Sequence, residues 1–361
     1  MNYDEIIRKQ MKNYLDTEDT DALSDYAGKL TDGLSDSFTL DKILSATLKG
    51  ESIFDDGQLI EDLKTLFLYE IRSAMVIGAE IITVCIIIGL IKNLSSSFGK
   101  SAVNQIAGLI CAMVIVGLAM TNFYDIYNLT ISSVKTITYT MEVLLPVLIA
   151  LIIAMGRVAS GTIMSPLLLA AITAFQSVIK NIILPLVFVS TVLTMVNCLT
   201  EKDYVNQLSK FLRRAALFAC GLIITLMTGI ITVQGIIVKS TDSLLMDTAR
   251  YSLDNFIPIV GGFASDTIDL FLKCMGSIKN VVGVFGIITI VLLMLSPIIK
   301  IVAVALVYKI IGLLTEAVAP PKLSSGISDI GSSLITMGAV LFFSSLLFII
   351  FITCIINLGG G

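Results

Sequence analysis

Among the charged residues inside or at the edge of long apolar runs, four stand out: Glu80, Lys300, Lys309 and Glu316. A charge at the bilayer centre costs roughly 2.5–3.5 kcal/mol on insertion scales, so one retained there commonly serves a polar path or an interhelical pair. Glu80 is the seventh residue of the run 74–94. Lys300 follows Pro297 at a junction of two runs, and Lys309 lies nine residues further on, half a turn round a helix. These types and spacings allow a pair of Glu80 with Lys309, and a gating path past Lys300 and Glu316. A simpler reading has Glu80 and Lys300 snorkel to the interface.

Backbone-breaking residues form the second group. Pro146, Pro166, Pro185 and Pro297 fall within apolar runs. Each can open a helix there, and freed carbonyls line polar cavities in transporters. The segment 255–266 is the most unusual. Asn255, Pro258, Gly261 and Gly262 stop a helix, and Ser265 or Asp266 can cap the next one. It is too apolar for a solvated loop and too broken for a span. It is expected to be a re-entrant or interfacial elbow.

Several chemistries are disfavoured. The chain has no histidine, the commonest general base and metal ligand. It has no Walker loop, no HExxH, no GxSxG and no Cys/His cluster. The six cysteines lack CxxC spacing and five sit in or beside apolar runs, as reduced hydrophobes would. The expectation is no enzyme, no cofactor and no metal. Mid-run Gln176, Asn197 and Gln234 read as packing groups that bond between helices.

The elements that carry these residues must be membrane helices. Of 361 residues, 56% are hydrophobic and only 14% charged, with a mean hydropathy of +0.93. No soluble domain of this size hides that much apolar surface, so lipid must be its solvent. Apolar runs occur at 74–94, 103–122, 141–156, 162–180, 182–200, 215–238, 281–299 and 334–357, with a further one at 298–318. The fold class is all-α, a polytopic bundle of seven to nine spanning or re-entrant helices.

Residues 1–72 carry 16 acidic and 8 basic groups, whereas 73–361 carry 12 and 16. The front region reads as amphipathic helices over 23–34 and 40–49, with a third from Asp56 running into the first span. The expected division is an extracytoplasmic 1–72 and a transmembrane 73–361. The acidic front disfavours nucleic acid. With every run crossing, Lys92, Lys100, Arg157, Lys202, Lys210, Arg213, Arg214 and Lys300 fall in short inside loops. Lys135, Lys180, Lys239, Arg250, Lys273, Lys279 and Lys322 fall in longer outside ones, which favours the N-terminus outside. No cleavable signal is visible in the polar start MNYDEIIRKQ.

Long stretches in fixed order carry a resemblance: ILPLVFVSTVLTMVNCLTEK (183–202), TVQG around Gln234, NFIPIVGGFASDTIDL (255–270) and SPIIKIVAVALVYKI (296–310). With these the chain resembles the stage III sporulation protein AE family of endospore-forming bacteria, from about Ser37 to the C-terminus. The resemblance implies a multi-pass protein of the mother-cell membrane around the forespore. It implies as partners the other stage III AA-to-AH proteins and the forespore-side stage II protein Q. It further implies a permease-like subunit of a channel or secretion-like complex, with a separate protein as ATPase. Family members usually begin with a secretory signal, from which this chain departs. The competing readings are a self-contained secondary transporter and a non-conducting scaffold of the same assembly. Membrane lipid and further copies of the chain complete the expected partners.

Overall fold

The computed structural model describes residues 56–97, 102–200, 205–256, 261–316 and 320–358. Among the described residues every regular element is a helix. They are α1 (Asp56–Ser97), α2 (Ala102–Ala154), α3 (Val158–Val178), a π-helical turn (Ile179–Ile183), α4 (Leu184–Cys198), α5 (Asn206–Phe256), α6 (Gly261–Thr315) and α7 (Pro321–Leu358). Lipid offers the backbone no hydrogen bonds, so spanning segments must satisfy theirs internally, as helices do. The amphipathic helices expected over 23–34 and 40–49 lie outside the described residues. The expected division at 72/73 falls inside α1, which runs across it without interruption.

The number of spans needs correction. Five helices among the described residues are long and apolar enough to cross: Ala112–Ala154, Val158–Cys198, Asn206–Leu245, Phe271–Thr315 and Pro321–Asn357. The runs 103–122 and 141–156 share α2, 162–180 and 182–200 share the α3–α4 rod, and 281–299 and 298–318 share α6. One straight helix cannot cross a bilayer twice. The 53 residues of α2 make a rod of roughly 80 Å at 1.5 Å per residue. That is well beyond the ~30 Å hydrocarbon core, so α2 crosses once and extends past it.

The expected breaks at proline also need correction. Pro146, Pro166 and Pro297 lie within α2, α3 and α6, which continue through them. A proline removes one backbone donor, and membrane helices absorb that loss through local adjustment. Pro185 alone coincides with a change of backbone. It follows the π turn, where the Leu184 N–H donates to the carbonyl of Ile179, five residues back. The wider turn takes up the missing donor without ending the rod.

α7 lies at the centre, against α6, α5, α4 and α2. Its seam with α6 is built from small residues. Gly331 meets the Ala305 carbonyl, Gly338 meets Ile301, and Gly312 meets the backbone of Ser328. Without a hydrophobic drive between helices in lipid, such close approach supplies the attraction. α2 packs antiparallel to α6: Tyr308, wholly buried, donates to the Ala119 carbonyl at 3.4 Å, and Leu144 rests on Gly286. Residues 119–144 of α2 therefore share the depth of 286–308 of α6.

Candidate functional site

Two polar nodes brace the ends of the bundle. At the α4–α5 end, α7 supplies the partners. Arg213 of α5 donates to the Asp329 carbonyl at 3.0 Å, and its guanidinium stands 3.5 Å from the Asp329 carboxylate and 3.4 Å from the Ser333 hydroxyl. Lys309 of α6 donates to the hydroxyls of Ser328 and Ser332. Lys322 donates to the Thr200 carbonyl at 3.1 Å. Beside them, Ser190 and Ser209 each donate a hydroxyl to the other's carbonyl, at 2.7 and 2.8 Å, and Thr194 joins the pair. These bonds tie α4 to α5 in a buried contact.

At the α2–α3 end the charges act as helix caps. The chain reverses through Gly156, whose φ of 76° suits a residue without Cβ. The first N–H groups of α3 then lack partners, as at any helix start. The buried Asp242 of α5 accepts from Ala159 N–H at 3.0 Å and Ser160 N–H at 2.9 Å. Lys279, fully buried, donates to the Ile356 carbonyl in the last turn of α7. A carboxylate at a helix start and an ammonium at a helix end both agree with the helix dipole.

A different arrangement occupies the outward face of α2. Every exposed residue from Thr121 to Tyr139 bears a polar group: Thr121, Tyr124, Asp125, Asn128, Ser132, Lys135 and Tyr139. Elsewhere at this depth the surface is mostly apolar, with Lys180 and Asn181 of the α3–α4 rod, Thr225 of α5 and Lys300 of α6 also exposed. Ile182 and Val189 of the α3–α4 rod point outward there, with Phe188 packed on Phe123 and Tyr127 of α2. Across the bundle α5 exposes Phe218, Leu222, Leu226, Ile230 and Val233.

The sequence-derived candidates distribute unevenly. Lys309 is engaged by serines rather than by Glu80, which is exposed on α1. The expected Glu80–Lys309 pair is therefore corrected; the hydroxyls of the adjoining α7 lie nearer and satisfy the ammonium. Lys300 is exposed at the depth of Asn128, and Glu316 is exposed at the end of α6. Asn255 lies in the last turns of α5, and Gly261, Gly262 and Asp266 in the first turns of α6. Pro258 lies outside the described residues. Lys135 and Lys279, expected in outside loops, are helical. Among the described residues five cysteines are free, Cys85 and Cys220 buried and Cys198, Cys274 and Cys354 half-buried.

Arg213–Asp329, Asp242 and the Ser190–Thr194–Ser209 cluster were not legible as sites. A lone acid or serine in an apolar run names no partner. The α2 face did leave a signal: its polar residues Thr121, Asp125, Asn128, Ser132, Lys135 and Tyr139 recur by alternating fours and threes, a helical period.

Long apolar helices, internal hydrogen-bonded braces and an outer surface that is mostly aliphatic define a polytopic α-helical membrane protein. The family model described as Stage III sporulation protein AE matches residues 38–359, and the chain belongs to that family. It is similar to the Stage III sporulation protein AE of Bacillus subtilis (strain 168), 28% identical over 343 residues, which cover 94% of this chain and 84% of that protein. No solved structure matches it.

Proposed function

We propose that the protein is the membrane-embedded, permease-like subunit of a passage between mother cell and forespore. It works with the other stage III AA-to-AH proteins and the forespore-side stage II protein Q, in the mother-cell membrane around the forespore. The observation that carries this reading is charge exposed at membrane depth. Asp125, Lys135 and Lys300 face outward from the single chain. Ionisable groups within spans almost always face protein or a water-filled cavity. A simple anchor has no use for them.

The N-terminal region is read as facing the intermembrane space, in keeping with what the family resemblance implies.

The self-contained carrier, with coupling through Glu80 or Lys309, is less favoured, because Lys309 is engaged by the Ser328 and Ser332 hydroxyls. Removing the protein from sporulating cells is expected to arrest the forespore after engulfment. The tagged chain is expected to co-purify with the other stage III proteins. Normal spore yield without it would sink the reading. Solute flux from liposomes holding this chain alone would favour the carrier.

A further inference from the structure

We propose that the outward face of α2 lines a water-filled passage enclosed by several copies of this chain. The inference rests on the passage function above and assigns its wall.

Three observations carry it. The first is extent. Thr121 and Tyr139 are eighteen residues apart, which is roughly 27 Å of helix at 1.5 Å per residue. That nearly matches the ~30 Å hydrocarbon thickness. No exposed aliphatic side chain interrupts the stripe. A buried packing contact needs one or two polar groups; a wall that water crosses needs polarity at every turn.

The second is side-chain size. This chain shows how it makes a dry contact in the α6–α7 seam, where Gly312, Gly331 and Gly338 admit the neighbouring helix. The α2 stripe instead presents Tyr124, Asp125, Lys135 and Tyr139. Long charged side chains hold a neighbouring helix off and are costly to bury dry. Water is the medium that suits them.

The third is register. The stripe lies opposite the α2 residues Phe123, Ile126, Thr130, Ile137 and Met141, which are buried in the bundle. It therefore points out of the chain, and one convex bundle cannot enclose a lumen. Copies related by an axis along the membrane normal bring equal depths together. Asp125 then faces Asp125 and Lys135 faces Lys135, as rings. Like charges at one depth repel in a dry contact but are tolerated around a hydrated lumen, as in channels lined by charged rings. The stripe itself carries one carboxylate and one ammonium per copy. The passage accordingly suits small hydrophilic solutes.

The test uses the full chain in membranes of sporulating cells, with its native cysteines replaced. Single cysteines are placed on the stripe (Thr121→Cys, Asn128→Cys, Ser132→Cys, Tyr139→Cys) and at lipid-facing controls (Leu226→Cys, Ile310→Cys). The probe is a charged, membrane-impermeant methanethiosulfonate. A thiol in lipid stays protonated and inert, so stripe cysteines should react at least roughly tenfold faster than the controls. A thiol-to-thiol crosslinker should join Asn128→Cys chains to one another. Variants that fail to accumulate are replaced by serine-to-cysteine changes alone, which alter one atom.

Stripe rates equal to the controls would overturn the proposal. So would a stripe protected in membranes but reactive once the chain is purified away from other proteins, since a different protein would then cover it. If the stripe is unreactive while spores form and the assembly co-purifies, only this inference fails. If the chain is dispensable for sporulation, the function itself fails.

Discussion

The outer faces of α2 and α5 lie at the same depth of one bundle and solve opposite problems. α5 turns Phe218, Leu222, Leu226, Ile230 and Val233 outward, and its polar work is done at its ends by Arg213 and Asp242. α2 turns Asp125, Asn128, Ser132 and Lys135 outward along its middle. Both helices bury an apolar face in the same core. What distinguishes them is therefore the medium each outer face meets. The solvent of a membrane helix is chosen face by face.

Swapping the faces should break the comparison most visibly at α5. Leu226→Asp puts a carboxylate into lipid and is expected to cost about 2.5–3.5 kcal/mol of insertion, read as lost full-length protein in a membrane fraction. Normal accumulation would mean that α5 also faces water or a partner. The dry seam between α6 and α7 comes next. A methyl at Gly312 would stand 2.8 Å from Ser328 Cβ and 3.1 Å from its backbone. Gly312→Ala should therefore destabilise the bundle by about 1–3 kcal/mol, seen as a lower melting temperature in detergent.

Smaller effects sharpen the contrast. Ser209→Ala removes a hydroxyl shared by Ser190 and Thr194, for an expected ~0.6 kcal/mol, the usual worth of such a bond between membrane helices. The smallest change in stability is expected at the stripe. Asp125→Leu should alter the melting temperature by less than the equivalent of about 0.5 kcal/mol, as for a surface position, and yet lower spore yield. A large destabilisation by Asp125→Leu would make the stripe structural and erase the contrast with α5.

Part of this was legible residue by residue. The apolar runs announced membrane helices, and the stretches around 183–202 and 255–310 carried the family. The continuation of Asp56 onward into the first span also reads directly from its period. The failures share one cause. Residues 123–140 mix polar and apolar groups, and between two apolar runs they look like a loop. The structure makes them the middle of α2 because their other face, Phe123 to Met141, is buried on its neighbours. Prolines were read as breaks because local chemistry forbids one hydrogen bond; the surrounding rods hold the helix through that loss.

Composition and hydropathy alone determined that this chain lives in lipid and is helical, since apolar runs of about 20 residues match a helical span, which satisfies its own backbone. Sequence order determined its family. Only the tertiary structure decided that Lys309 meets serines, that Asp242 caps α3, and that the polar side of α2 faces outward. Those outcomes depend on which helices stand side by side and at what depth. Such distances separate residues far apart along the chain, and no local pattern encodes them.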